Sequence, residues 1–287
     1  MTIPTYTPKE QRQAELMLLF LTTIWGSTFI VIRNTLHGVG PMTLLALRFS
    51  IGFLVVFILF FGRMRRIKRM DVIAGSILGV MFFAGNVLQT TGLQYTTAGV
   101  SGFITALSVV IVPVLAIVML RQRPTRGAVV GIVLATVGLA LLSLNENLSL
   151  GYGDLLTLGC AVAFAFHIVY VSKFAHDTEP TVMVAVQLGL AAIAATVLAF
   201  TTETVGPFTP NVLLAGLYLG LLPTAFCFVL QVYGQRRTSA TRAALIFTAE
   251  PVFAATFAFL VAGELLSGRG LVGCVFILAG MIAAELA

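Results

Sequence analysis

Apolar residues fall in long blocks along the chain, and short breaks rich in charge, proline and glycine separate them. A helix needs about 20 apolar residues to cross a lipid bilayer. Ten blocks reach or approach that length, at 16–33, 42–61, 72–93, 99–120, 127–144, 154–173, 182–201, 211–233, 243–262 and 269–286. The breaks are Gly38–Pro41, Arg63–Arg69, Arg121–Arg126, Asn145–Gly153, Asp177–Pro180, Gly206–Pro210, Arg236–Arg242 and Gly263–Gly268, with a weaker one at Gln94–Thr97. The pattern predicts an all-α integral membrane protein with ten transmembrane helices. No break is long enough for a catalytic lobe outside the bilayer. The first block follows Lys9 and Arg12 and runs from Leu16 to Ile32 with no small-x-small cleavage site, so it reads as a retained helix. Residues 1–15 then form a cytoplasmic N-terminal segment.

Composition agrees. Apolar residues make up 59% of the chain and charged residues 10%, whereas a soluble domain carries about 25% charged residues. Such a chain cannot coat a water-facing surface. The net charge of +6 would suit nucleic acid, but the cations sit in clusters between apolar blocks, the pattern of cytoplasmic loops, and no nucleic-acid partner is expected. With the N-terminus inside, 14 Lys and Arg fall on the inner side and only Arg33 and Arg269 on the outer side, leaving Arg48 within the second helix. Both termini are therefore expected in the cytoplasm. Cys160, Cys227 and Cys274 each lie inside an apolar block and form no CxxC pair, so they read as packing residues rather than metal ligands.

The chain also resembles itself. Displaced by 142 positions, Gln89, Gly92, Thr96 and Ala98 fall on Gln231, Gly234, Thr238 and Ala240, while Gly131 and Gly138 fall on Gly273 and Gly280. A fainter match sets Glu15–Asn34 on Asp154–Lys173, with Trp25 opposite Phe164 and Thr28 opposite His167. The repeats are residues 16–144 and 154–287. Five helices per repeat is an odd number, so the second repeat must be inverted. The loop at 94–99 has no cation while its counterpart at 236–242 has three Arg, as inversion requires. Inverted repeats mark secondary transporters; some channels share them.

Several short motifs carry a further likeness. They are Trp25-Gly26-Ser27-Thr28-Phe29, Leu47-Arg48-Phe49, Gly92-Leu93-Gln94-Tyr95-Thr96-Thr97-Ala98, Glu250-Pro251-Val252-Phe253, Gly263-Glu264 and Gly273. In this order they resemble the drug/metabolite transporter superfamily, specifically its ten-helix EamA-type exporters. The likeness covers nearly the whole chain. The fourth helix departs from it by ending in Arg121-Gln122, where the family often has Gly-Glu. The resemblance implies a monomeric basket of helices around a central cavity, set in a bacterial inner membrane. It implies export of amino acids or related small metabolites, with the aromatic and general amino-acid exporters the nearest group. Lipid or isoprenoid-carrier flippases and multidrug exporters of the same superfamily stand as alternatives, and a passive channel as one from another class.

A transport cavity needs small, polar and aromatic residues on one face of its helices. Gly75, Gly79, Phe82, Asn86 and Gln89 share a face of the third helix; Ser101, Thr105 and Ser108 share one on the fourth; Gly159, Ala163, His167 and Tyr170 share one on the sixth. Glycines spaced by four, such as Gly75 and Gly79, more simply let helices approach. Charges inside the bilayer are costly, so Arg48 and Glu250 stand out. Arg48 is a candidate for a substrate carboxylate, or else for a helix C-terminus. Glu250, beside Pro251, is a candidate for a substrate ammonium or a proton, or else for a structural pair with an Arg or a capping role. His167 is a candidate proton carrier or a plain hydrogen-bonding residue. Trp25 and Thr28 lie within one turn, and Trp25 suits stacking on a ring or cation. The candidate substrate-binding set is Trp25, Thr28, Arg48, Phe82, Asn86, Gln89, Thr105, Ser108, His167, Tyr170 and Glu250, with Pro113, Pro223 and Pro251 as hinges. The fifth and tenth helices hold almost no polar group and belong at the periphery.

No P-loop, HExxH or GxSxG motif occurs. No cofactor, metal or enzymatic activity is expected, and active transport would draw on a gradient, with protons the candidate coupling ion. The expected partners are a small-molecule substrate and membrane lipid.

Overall fold

The computed structural model describes residues 6–143, 151–206, 208–262 and 267–285. The Gly263-Glu264 motif and the stretch 145–150 lie outside them. The described residues are helical without strands. Seven helices are long and apolar enough to cross a membrane: α1 (Pro8–Thr35), α2 (Pro41–Leu59), α3 (Arg69–Gly92), α4 (Val100–Leu120), α6 (Tyr152–Phe174), α7 (Pro180–Thr202) and α8 (Pro210–Gln235). Helix α5 (Arg126–Ser143) precedes α6 and is a shorter apolar helix. The ninth predicted span is broken into α9 (Ala240–Phe247) and α10 (Glu250–Ala262), and α11 (Gly268–Glu285) ends the chain.

Each element has a local cause. Thr7 caps α1 by accepting a hydrogen bond from the Glu10 N–H, and Pro41, Pro180 and Pro210 each open a helix, where a missing N–H is harmless. Several helices are then interrupted within their length. Helix α1 breaks at Ser27, α4 at Leu107, and α8 passes through a wide π-type turn at Gly220–Phe226 that contains Pro223. A second π-type turn, Ala116–Leu120, follows Pro113. Pro251 sits at the second residue of α10, just after the break, rather than bending a continuous helix.

The two halves make matching contacts at opposite ends of the bundle. A Cβ on Gly131 would lie 2.5 Å from the Gly280 carbonyl, and one on Gly138 would lie 2.5 Å from that of Gly273. Since Gly131 corresponds to Gly273 and Gly138 to Gly280, this crosswise pairing is what a two-fold axis between α5 and α11 produces. Thr96 Oγ1 donates to Asp154 at 2.6 Å; at the far end Thr238 Oγ1 donates to Glu15 at 3.0 Å. Gly75 and Gly79 press on Val186, Gln187 and Leu190 of α7, as Gly220 presses on Arg48 and Ile51 of α2. These glycines are points of close helix approach, not cavity lining.

The bundle has a basic end, which holds Arg63, Arg123, Arg236, Arg237 and Arg242. At the other end Phe29, Ile32, Leu44, Leu93 and Leu219 form a buried apolar plug, and Ser27 hydrogen-bonds Tyr218 beside it.

Candidate functional site

The helix breaks converge on a cavity of about 80 Å³ in the middle of the bundle. Trp25 and Thr28 flank the break in α1, Ala106 and Ser108 that in α4, and Phe247 and Glu250 that between α9 and α10. Broken helices place polar side chains and backbone carbonyls at the midplane, where unbroken ones would hide their backbone groups.

Nine candidate residues meet here: Trp25, Thr28, Arg48, Asn86, Gln89, Thr105, Ser108, His167 and Glu250. Their hydrogen bonds fix most of them. Trp25 Nε1 donates to the Pro223 carbonyl at 2.9 Å, and its rings meet Phe228 and Phe247, both at 5.3 Å. Thr28 Oγ1 donates to the Trp25 carbonyl at 2.8 Å. Arg48 donates from Nε to Thr224 Oγ1 at 2.6 Å and from Nη1 to Asn86 Oδ1 at 3.4 Å. Gln89 donates to Thr105 at 3.1 Å. The Nε2–H of His167 donates to Gln187 Oε1 at 3.0 Å. Arg48 and Glu250 share the cavity wall without forming an ion pair. Glu250 has no hydrogen-bond partner among the described residues.

Two candidates lie elsewhere. Phe82 is fully buried behind the wall, against Phe49, His167 and Phe228. Tyr170 stacks on Phe174 at 5.7 Å, a turn further toward the basic end. Pro113, Pro223 and Pro251 all stay outside the lining, although the Pro223 carbonyl holds Trp25 in place.

Phe164, Phe228, Gln231 and Phe247 also line the cavity and were missed. The signal was present in the repeat, because Gln231 is the counterpart of Gln89, Phe228 of Asn86, Phe247 of Thr105 and Phe164 of Trp25. Gln231 also bridges outward. Its Nε2 donates to Gln235 Oε1 at 2.8 Å, and Gln235 Nε2 donates to the Ile168 carbonyl and Ser172 Oγ, both at 2.9 Å. This amide chain separates the cavity from a vestibule of about 720 Å³ at the basic end, where Gln235 and Ser172 appear in the wall. Among the described residues no cluster of ligating side chains suits a metal ion.

A cavity lined by polar and aromatic side chains at the breaks of membrane-length helices is an arrangement suited to a multi-pass membrane transport protein. The sequence pattern of the EamA-like transporter family matches residues 12–144 and again 151–284. The chain therefore belongs to the EamA-like transporter family, within the drug/metabolite transporter superfamily. An uncharacterized transporter of Archaeoglobus fulgidus is 32% identical over 95% of this chain and 86% of its own length. A probable amino-acid metabolite efflux pump of Salmonella typhimurium is 26% identical over 94% of each chain. A solved crystal structure shares the fold, with a TM-score of 0.80 at 21% identity over 96% of this chain and 97% of that one.

Proposed function

We propose that this protein exports amino acids or related small zwitterions across a bacterial inner membrane by alternating access through the central cavity. The observation that carries the reading is the pair Arg48 and Glu250, a guanidinium and a carboxyl group on the wall of one cavity with no ion pair between them. An isolated charge inside a bilayer is costly and marks a pathway. Arg48 offers a guanidinium to a carboxylate, and Glu250 offers a carboxylate to an ammonium. Trp25, Phe228 and Phe247 supply aromatic faces between them. The name of the Salmonella relative supports the substrate class.

In this reading the chain makes ten spans, α9 and α10 together forming the ninth, with both termini cytoplasmic. The basic vestibule then faces the cytoplasm. A cavity of about 80 Å³ is far below the roughly 300–1,000 Å³ of a ligand site, so the structure corresponds to a closed state. Loading requires the Gln231–Gln235 bridge to part, and release requires the apolar plug and the Ser27–Tyr218 contact to part. The two-fold relation of the halves supports such an exchange. Pro113, Pro223 and Pro251 mark where the helices yield.

The test is uptake of a labelled panel of aromatic, small polar and charged amino acids into proteoliposomes, with and without a pH gradient. Saturable uptake is expected, and Glu250→Gln is expected to lower kcat/KM about 10- to 100-fold, the value of a charge-assisted hydrogen bond of roughly 1.5–3 kcal/mol. A flat response across the panel would remove amino acids as substrates.

A further inference from the structure

Helices α2 and α7 cross against each other, and on their outer side they leave an apolar groove of about 650 Å³. That is the size of a ligand site. Its wall includes Phe53, Phe57, Met64, Ala185, Leu190 and Ile193, and every residue lining it is apolar. It opens to the exterior, where Ile193 is 69% exposed and Leu59 nearby is 71% exposed. In a bilayer this groove faces acyl chains.

One end of the groove reaches Ile67, inside the cationic segment that joins α2 to α3. Arg63 is already engaged, with Glu179 at 2.6 Å and Tyr233 at 2.9 Å. The neighbouring carboxylate is engaged as well. Asp71 accepts from the Glu179 N–H at 2.8 Å and from the Lys68 N–H at 2.9 Å. Arg65, Arg66, Lys68 and Arg69 are exposed, and none forms an ion pair among the described residues. Arg65 lies over the Phe61 ring at 5.3 Å, which directs it along the helix end. Four cations without an ion pair therefore lie in the segment that borders one end of the apolar groove.

We propose that this groove is a binding site for one anionic phospholipid. An acyl chain lies along Phe53, Phe57 and Leu190, and the headgroup phosphate is held by Arg65, Arg66 and Lys68. A polybasic segment at the end of a membrane helix attracts anionic headgroups, and the groove supplies the apolar half of the same ligand. A second copy of the chain suits the site poorly, because a two-fold contact here would set the cationic segment against itself. A peptide suits it poorly because no polar group in the wall would meet its backbone. A lipid in this position bridges the two crossing helices that join the halves.

The test is native mass spectrometry of the full-length protein, incubated with equal amounts of dioleoyl phosphatidylglycerol and dioleoyl phosphatidylcholine. The parent protein is expected to retain one phosphatidylglycerol in preference. The combined Arg65→Gln, Arg66→Gln, Lys68→Gln variant is expected to lose that preference by at least about tenfold. Ala194→Phe, which fills the groove from α7, is expected to lose retention of both lipids while keeping its helical circular dichroism. Equal retention of the two lipids by the parent would overturn the proposal. So would an undiminished preference in the triple variant, replacement of the lipid by free glycerol phosphate, or a dimer that buries the groove.

Discussion

Replacing Glu203 by alanine removes one side chain and three hydrogen bonds that tie the end of α7 to the start of α2. The Glu203 carboxylate accepts from the Met42 N–H at 2.7 Å, the Thr43 N–H at 2.9 Å and the Thr43 hydroxyl at 2.7 Å. The two amides belong to the first turn of α2, where a helix has no internal acceptors and a partial positive charge gathers. Hydrogen bonds to a charged group contribute roughly 1.5–3 kcal/mol, and the site is only partly buried. Water recovers some of that value, so Glu203→Ala is expected to cost about 2 kcal/mol. For a protein of this size that lowers the thermal midpoint by roughly 4–8 °C. Helical circular dichroism of the detergent-purified protein during heating reads the change directly. A second substitution tests the geometry. A Cβ on Gly40 would collide with the Glu203 carboxylate, so Gly40→Ala should displace the same group. Each single variant is then destabilised, and the double variant is little worse than Glu203→Ala alone, because both remove one interaction. Strictly additive losses, or a Glu203→Ala midpoint within about 1 °C of the parent, would refute the reasoning.

Three further outcomes are expected. Arg121 closes α4 in the left-handed region at φ 55°, where glycine is unstrained, so Arg121→Gly should raise stability by about 1 kcal/mol in the same melt. His176 lies past the end of α6, and burial, aided by nearby Arg236, holds its pKa below the ordinary 6.5. The folded state thus favours the neutral ring, so stability is full above about pH 6.5 and falls as pH drops below it; His176→Gln should flatten the decline of the midpoint between pH 7 and pH 5. With Cys160, Cys227 and Cys274 replaced, a thiol cross-linker between Ser27→Cys and Tyr218→Cys should stop transport reversibly, and undiminished transport by the linked protein would exclude opening at that end.

The blocks of apolar residues disclosed the helices because bilayer thickness fixes a length, and length is visible without an alignment. The repeat disclosed the symmetry, since a Cβ at Gly131, Gly138 or Gly280 would meet the facing backbone. The breaks at Ser27 and Leu107 were not legible. Neither position itself holds a proline or glycine, and at the first the freed carbonyls are taken up locally, Ile24 by the Ser27 hydroxyl at 2.6 Å and Trp25 by the Thr28 hydroxyl at 2.8 Å. Helical periodicity found Asn86 and Gln89 and its glycine spacing found the packing of Gly75 and Gly79 on α7, but it also drew in Phe82, which lies behind the cavity wall against Phe49, His167 and Phe228. Arg48 and Glu250 stood out as charges. Gln187, which holds His167, had no signal of its own, although it is one of the fully buried amides.

The two-fold relation also separates what holds the protein together from what lines the central cavity. Close packing is mirrored: Gly92 rests on Gly153 and Thr157 of α6, and its counterpart Gly234 rests on Ala14 and Leu18 of α1, the positions that match them. Apart from Gln89 and Gln231, the cavity lining is mirrored in place but mostly not in chemistry. Ser108 faces the cavity where its counterpart is Glu250, Asn86 where it is Phe228, Thr105 where it is Phe247, and Thr28 where it is His167. Packing must stay alike in both halves if the halves are to exchange shapes. The lining is free of that demand in the proposed mechanism, where a zwitterion would present different groups to the two sides. A symmetric pair of carboxylates or guanidiniums would repel across so small a space, whereas one of each sign suits a ligand that carries both.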